Sequence, residues 1–338
     1  MKHRYFGTFV PGAEQIVSGI LQESGAACIG RLMSGAVEYE LEAGARLSTP
    51  CLNNRFRVLY RAQAKADKAG LEKFLRALPS KEVDWSAARE GKRGKSFRVV
   101  TSCQNQLTGV SKAAKEALER RIAQETGMRV DRSLPDQEFW VLARREGAAY
   151  FLKRLTRHKA YDKLLHPGEL HPELAYLLCW LAGPAKAVAD PFCGYGAIPA
   201  SGREFFPYEQ LWGFDRNEEA LAYAKNKIKP GPGLILECRD AFTLGTFLGP
   251  GSLDAIVTDP PWGLYQGLDL PLEEFYGRML EQFALALRPG GRAVVLTAGK
   301  NELEAALAQA PALALAARYD ILASGKKAAI FVMERQGG

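Results

Sequence analysis

The stretch AKAVADPFCGYGAIP (Ala185–Pro199) decides the architecture of the second half of the chain. AKAVAD has the short, apolar character of a buried strand, and it runs into a glycine-punctuated loop and then a helix. In an open parallel sheet, ligands bind beyond the carboxyl ends of such strands. Gly194 and Gly196 let the backbone turn sharply and approach a bound group closely. The loop has neither the GxGxxG spacing of a dinucleotide site nor the Lys-Ser/Thr pair of a P-loop. An acid at its start, Asp190, is a poor choice for phosphate but suits a cationic ligand group such as an ammonium or a sulfonium.

Working outward, the same style repeats. QLWGFD reads as a second strand before the helix NEEALAYAKNKIK, GLILECRD as a third strand, and LDAIVTDPPWG as a fourth. A helix from Glu273 to Leu287 precedes RPGGRAVVLTAG, the fifth strand. Strands alternating with helices predict an α/β unit with a mostly parallel sheet and right-handed crossovers. The closing ARYDILASGKKAAIFVMER reads as two strands around a Gly325–Lys326 turn, an antiparallel pair at the sheet edge.

The acids that end successive strands form a series. Asp215 can accept both hydroxyls of a ribose, or cap the helix that follows it. Asp240 can meet an adenine edge or cap a turn. DPPWG (Asp259–Gly263) is the most specific signal in the chain. An exocyclic amine on a base is a poor nucleophile because its lone pair is delocalised into the ring. Two acceptors holding its N–H groups favour a tetrahedral nitrogen whose lone pair faces a methyl donor. Asp259 offers a carboxylate, Pro260 offers a carbonyl stiffened by Pro261, and Trp262 can stack on the base. Catalysis of this kind is mostly positioning of an in-line transfer.

The first half reads differently. Of a net charge of +7, residues 1–165 carry +12 (30 Lys and Arg against 18 Asp and Glu) and residues 166–338 carry −5 (15 against 20). That asymmetry suggests a polyanion-gripping region joined to a region with another task. The order of elements from RYFGTFV (Arg4–Val10) onward is β-α-β-β-β-α, close to a ferredoxin-like unit. In NNRFRVLYRAQ, alternation predicts Phe56, Val58 and Tyr60 on one face, with Arg55, Arg57, Leu59 and Arg61 on the other. AAREGKRGK (Ala87–Lys95) reads as a linker, and Val110–Thr126 as a helix stopped by Gly127. The basic residues Lys112, Lys115, Arg144, Arg145, Lys153, Arg154 and Arg157 cluster in this helix and the strands after it and are candidates for RNA contact, whereas His158 reads as surface and Lys163 as either RNA contact or ordinary surface.

Six scattered cysteines without a CxxC pair, and only four histidines, suggest neither a disulfide framework nor a metal site. The longest uncharged apolar stretch, Leu174–Gly183, is about half of what a membrane-spanning helix needs, and no signal peptide is evident. The expected setting is the cytoplasm, without a membrane or an obligate protein partner.

Residues 165–338 resemble the class I S-adenosylmethionine methyltransferases, with DPFCGYG, GFD, CRDA and DPPWG in that family's order. HPGELHPELAYLLCWL resembles the helical lead-in of the branch that methylates guanine N2 in tRNA. The basic segment from Lys95 to Arg157 looks like a THUMP RNA-binding domain. The whole resembles the THUMP-containing tRNA guanine-N2 methyltransferases. The resemblance implies a Rossmann-like domain with a seven-stranded sheet and a C-terminal edge hairpin, preceded by an α+β region. The domains would be 1–90 (ferredoxin-like), 91–160 (THUMP) and 161–338 (methyltransferase). It also implies S-adenosylmethionine as cofactor, lined by Asp190, Pro191, Phe192, Cys193, Gly194 and Gly196. Asp215 and Arg216 would lie by its ribose and Asp240 and Ala241 by its adenine. Asp259, Pro260, Pro261 and Trp262 would hold the target base. Tyr195 stands where the family usually has a small residue, and Trp262 where it has Tyr or Phe. The expected activity is methylation of guanosine N2 in tRNA. The alternatives are guanine N2 or adenine N6 in ribosomal RNA or DNA, or a non-catalytic RNA-binding protein.

Overall fold

The computed structural model describes residues 2–25, 28–43, 45, 50–90, 94–156, 165–263 and 270–337. Contacts divide the chain into two units. One comprises Met1–Thr8, Gln22–Leu47 and Asn53–His158; the other comprises Phe9–Leu21, Ser48–Leu52 and Lys159–Gly338. No described helix is long and apolar enough to cross a membrane.

The first unit is built on one nine-stranded sheet. Its strands are β1 (Lys2–Thr8), β2 (Cys28–Met33), β3 (Ala36–Glu42), β4 (Asn54–Gln63), β5 (Ser96–Cys103), β6 (Gln106–Leu107), β7 (Arg129–Val130), β8 (Gln137–Ala143) and β9 (Ala148–Arg154). They are ordered β2-β3-β1-β4-β9-β8-β5-β6, with β7 also paired to β5. Strands from either side of residue 90 therefore share one sheet, joined where β4 pairs with β9, so residues 1–90 and 91–160 do not form separate sheets. The first two helices of the chain are α1 (Glu14–Glu23) and α2 (Lys68–Ala77); α3 (Trp85–Arg89) and α4 (Lys112–Thr126) follow. α3 occupies the start of the expected linker, and α4 ends at Gly127 in the left-handed conformation as expected.

The alternation read in β4 breaks at a register shift between Val58 and Tyr60. Phe56 and Val58 belong to one apolar cluster, whereas Leu59 is buried in another and Tyr60 packs against that second one. A bulge of this kind sends two consecutive residues to the same side, which periodicity cannot foresee. Arg57, expected on a solvated face, is buried and bonds the Arg4 carbonyl at 3.2 Å and Asp84 at 3.3 Å.

The second unit carries the parallel architecture. Its strands are β10 (Ala187–Asp190), β11 (Gln210–Asp215), β12 (Leu234–Cys238), β13 (Leu253–Thr258), β14 (Leu287–Thr297), β15 (Leu313–Ala323) and β16 (Lys326–Arg335). The helices are α5 (Pro172–Leu181), α6 (Ala197–Phe205), α7 (Glu218–Lys227), α8 (Leu244–Leu248), α9 (Leu272–Ala286) and α10 (Lys300–Ala308). The order is β12-β11-β10-β13-β14-β16-β15, parallel except for β16, which is antiparallel to both neighbours. The turn of the closing hairpin falls at Ser324–Gly325.

The segment Phe9–Leu21 is part of this unit. The Leu322 amide donates to the Pro11 carbonyl at 2.9 Å. Gly12 lies so close to β15 that a Cβ there would be 2.0 Å from the Asp320 carbonyl, and a Cβ on Gly19 would be 2.8 Å from the Trp180 ring. Ile16, Val17, Ile20 and Leu21 of α1 are buried.

Candidate active site

At the carboxyl ends of β10 to β13, where the strand order reverses, a cavity of about 1120 Å³ opens. Asp190, Pro191, Phe192, Cys193, Gly194, Asp215, Arg216, Asp240, Ala241 and Asp259–Trp262 all line it, so the structure brings every expected cofactor and base residue together but one. The exception is Gly196. It caps α6 with φ +81° and packs on α7, where a Cβ would lie 2.8 Å from Ala224 and 2.9 Å from Ile228. Its small size serves helix packing and not contact with a ligand.

Asp190 is 1% exposed. One oxygen accepts from the Thr258 hydroxyl at 2.7 Å and the Phe192 amide at 3.2 Å, while Oδ2 is buried without a partner among the described residues. Burial pushes this carboxyl well above the ordinary range; the two hydrogen bonds oppose the shift, and the charges of Asp215 and Asp259 add to it. A buried, orphaned acceptor is costly unless a donor or cation reaches it.

Asp215 spans the loop. Its Oδ2 accepts the Gly194 amide at 2.7 Å and its Oδ1 accepts the Asn217 amide at 2.8 Å. The cap of α7 is Asn217, which accepts from the Glu219 and Ala220 amides, so capping is not the role of Asp215. Each of its oxygens keeps a further acceptor position for a hydroxyl. Asp240 does cap a short helical turn, through the Phe242 amide at 2.9 Å, and Ala241 is buried beside it. Phe242, Phe275 and Phe192 form an aromatic wall, with centroids 5.2 Å apart for the first pair and 5.6 Å for Phe192 and Phe275. Cys193 is buried and its thiol is pushed up by burial, which makes it wall and not nucleophile.

Asp259 accepts the indole N–H of Trp262 at 2.8 Å through Oδ1. Removal from water raises its carboxyl to about 7, against the lowering effect of that bond. No donor among the described residues meets its Oδ2 or the Pro260 carbonyl. The Tyr276 hydroxyl donates to the Pro261 carbonyl at 3.2 Å and lies 2.6 Å from the Thr297 hydroxyl oxygen, which accepts the Gly299 amide at 2.9 Å. Trp262 is half-buried, and the Lys326 ammonium lies 6.0 Å from its ring centroid.

Sequence reasoning missed the wall opposite. His166 stacks on Tyr195 with centroids 4.5 Å apart and planes 7° apart, and Tyr223 meets both rings edge-on. Glu169 fixes this loop, accepting the His166 amide at 3.0 Å and pairing with Lys227 on α7. The HPGEL run was visible, but nothing in it signals a ring partner 29 residues away.

The basic residues fare differently. Arg144, Lys153 and Arg154 are buried. Arg144 bonds Asn105 at 2.5 Å and the Ser34 carbonyl at 2.8 Å; Lys153 bonds the Ala88 carbonyl at 2.8 Å; Arg154 bonds Glu138 at 2.8 Å. These three are structural, which corrects their assignment as RNA contacts. Lys112 and Arg145 are exposed and Lys115 is half-buried. Arg157, with His158 and Lys163, lies outside the described residues.

Five carboxylate residues, Glu169, Asp190, Asp215, Asp240 and Asp259, line this cavity and suit a ligand bearing an ammonium and a sulfonium, and the orphaned Asp190 oxygen supplies a partner for that charge. Fold and site together define a class I S-adenosylmethionine-dependent methyltransferase. Residues 159–320 match the model of the family described as UPF0020, RMKL-like, methyltransferase domain. The chain is 28% identical over 289 residues to the tRNA (guanine(6)-N2)-methyltransferase of Thermus thermophilus, covering 82% of this chain and 83% of that protein. It is 32% identical over 150 residues to the mouse tRNA (guanine(6)-N(2))-methyltransferase THUMP3, covering 40% of this chain but only 30% of that protein. The crystal structure of Thermus thermophilus TrmN superposes with a TM-score of 0.74 at 21% identity, covering 99% of this chain and all of that one, and so shares the fold.

Proposed function

We propose that the protein transfers a methyl group from S-adenosylmethionine to the exocyclic N2 amine of a guanosine in tRNA, acting in the cytoplasm. The observation that carries this reading is the pair of acceptors at the end of β13. Asp259, Pro260 and Trp262 line the same cavity, and the Trp262 indole engages Oδ1 of Asp259, which leaves Oδ2 and the Pro260 carbonyl as the acceptors of this reading.

In this reading the cofactor supplies an electrophilic methyl group on a positively charged sulfur. Asp190, Asp215 and Asp240 hold its cationic end, its ribose and its base. Asp259 and Pro260 accept the two N–H bonds of the amine and turn its lone pair toward the methyl carbon. Transfer to the nitrogen would leave the electron pair of the broken S–C bond on sulfur, and the amine would then have a proton to lose. Asp259 is placed to take it, and a carboxyl raised to about 7 is well matched to proton transfer near neutrality. Lys112, Lys115, Arg145 and Arg157 would hold RNA phosphates. The likeness to the tRNA (guanine(6)-N2)-methyltransferase of Thermus supports tRNA, and guanosine 6 as the first position to assay.

The test is to methylate unmodified tRNA transcripts with the purified protein and analyse the nucleosides by mass spectrometry. N2-methylguanosine is expected. N6-methyladenosine alone, or no methylated nucleoside, overturns the proposal.

A further inference from the structure

We propose that the indole N–H of Trp262 is a positioning donor for the acceptor carboxylate, separate from any stacking of its ring on the base. The inference rests on the reading of Asp259 as the amine acceptor and assigns that site a part that Phe or Tyr at position 262 would not supply.

A carboxylate turns freely about its last torsion, so nothing intrinsic decides which oxygen faces a substrate. In this cavity one bond decides it. The indole nitrogen, a donor only, lies 2.8 Å from Asp259 Oδ1 and leaves Oδ2 free of that bond in a residue that lines the cavity. The segment between the two side chains is stiff. Pro260 and Pro261 fix two backbone torsions, and the Pro261 carbonyl is tied to the Tyr276 hydroxyl, which packs on Thr297. The ring is thus held at its N–H edge, with the Lys326 ammonium over one face 6.0 Å from the centroid. The charged and titratable groups around Asp259 are Asp190 on β10, Tyr276 on α9 and Lys326 at the start of β16. The hydrogen bond that favours its ionised form comes from Trp262.

Trp262→Phe separates the two roles, because it keeps an aromatic face and removes the N–H. The assay uses whichever tRNA nucleoside the wild-type enzyme methylates, across a range of pH. The expected result is a kcat lowered about tenfold, the scale of a lost bond to a charged group. KM for tRNA should stay within about threefold, since base stacking is kept. The acid limb of kcat/KM should move to higher pH. Trp262→Ala should add a rise in KM, and calorimetry with S-adenosylmethionine should show unchanged affinity in both variants, which verifies that they are folded. A Trp262→Phe enzyme with wild-type kcat and an unmoved acid limb overturns the positioning role and leaves the functional proposal standing. A wild-type enzyme that methylates no tRNA nucleoside overturns both.

Discussion

Two carboxyls, Asp190 and Asp259, sit in one cavity with different tasks. Asp259→Ala should abolish turnover while affinity for S-adenosylmethionine survives, because Asp259 is proposed to touch the base alone. Isothermal calorimetry beside a turnover assay checks this; affinity lost in step with activity counts against it. The pH dependence follows from the raised carboxyl. Turnover requires the ionised acceptor, so kcat/KM of the free enzyme should climb with unit slope up to about pH 7 and then level. Stability runs the other way. The folded value of about 7 lies above the unfolded value of about 3.9, so the neutral form stabilises fully below the unfolded value and its contribution is lost as pH rises through 7. A profile flat from pH 5 to 8 would remove Asp259 from the chemistry. His166→Ala should weaken cofactor binding with little change in kcat, since the ring pair His166–Tyr195 lines the cavity while Asp259 is held by Trp262. The acids were legible in the sequence because each ends a strand. The wall opposite was not, since a ring stack between His166 and Tyr195 leaves no mark on either local pattern.

At the scale of elements, the loop between β10 and α6 shows where sequence reading succeeds and where it stops. Gly194 and Gly196 were legible as backbone requirements, and both have positive φ. Their division of labour was not. Gly194 presents its amide to Asp215, whereas Gly196 makes room for α7. Gly196→Val should therefore destabilise the protein by about 2 kcal/mol or more, from strain at positive φ and overpacking against Ala224 and Ile228. Thermal unfolding measures this, and an unchanged midpoint would contradict the packing. The alternation in β4 failed at a bulge, and the basic cluster failed for a related reason. Arg144, Lys153 and Arg154 look like surface charge in a one-dimensional string, yet each reaches across the sheet to carbonyls or carboxylates far away in sequence.

At the scale of the whole chain, the charge asymmetry was visible from the sequence, and the exposed cations remain candidates for the RNA grip. Reversing Lys112, Lys115 and Arg145 to Glu together should weaken tRNA binding and flatten its dependence on salt; an unchanged slope would place the RNA elsewhere. Replacing Arg144, Lys153 or Arg154 should instead lower stability, because each would leave buried partners unsatisfied.

The Pro11 carbonyl that receives the Leu322 amide has a consequence for biosynthesis. The ribosome releases Phe9–Leu21 about 300 residues before their neighbours around Asp320. The catalytic half must hold that early strip unmatched until the closing hairpin has been made, and a gene fragment that begins at residue 159 would encode a body missing a part of its own unit.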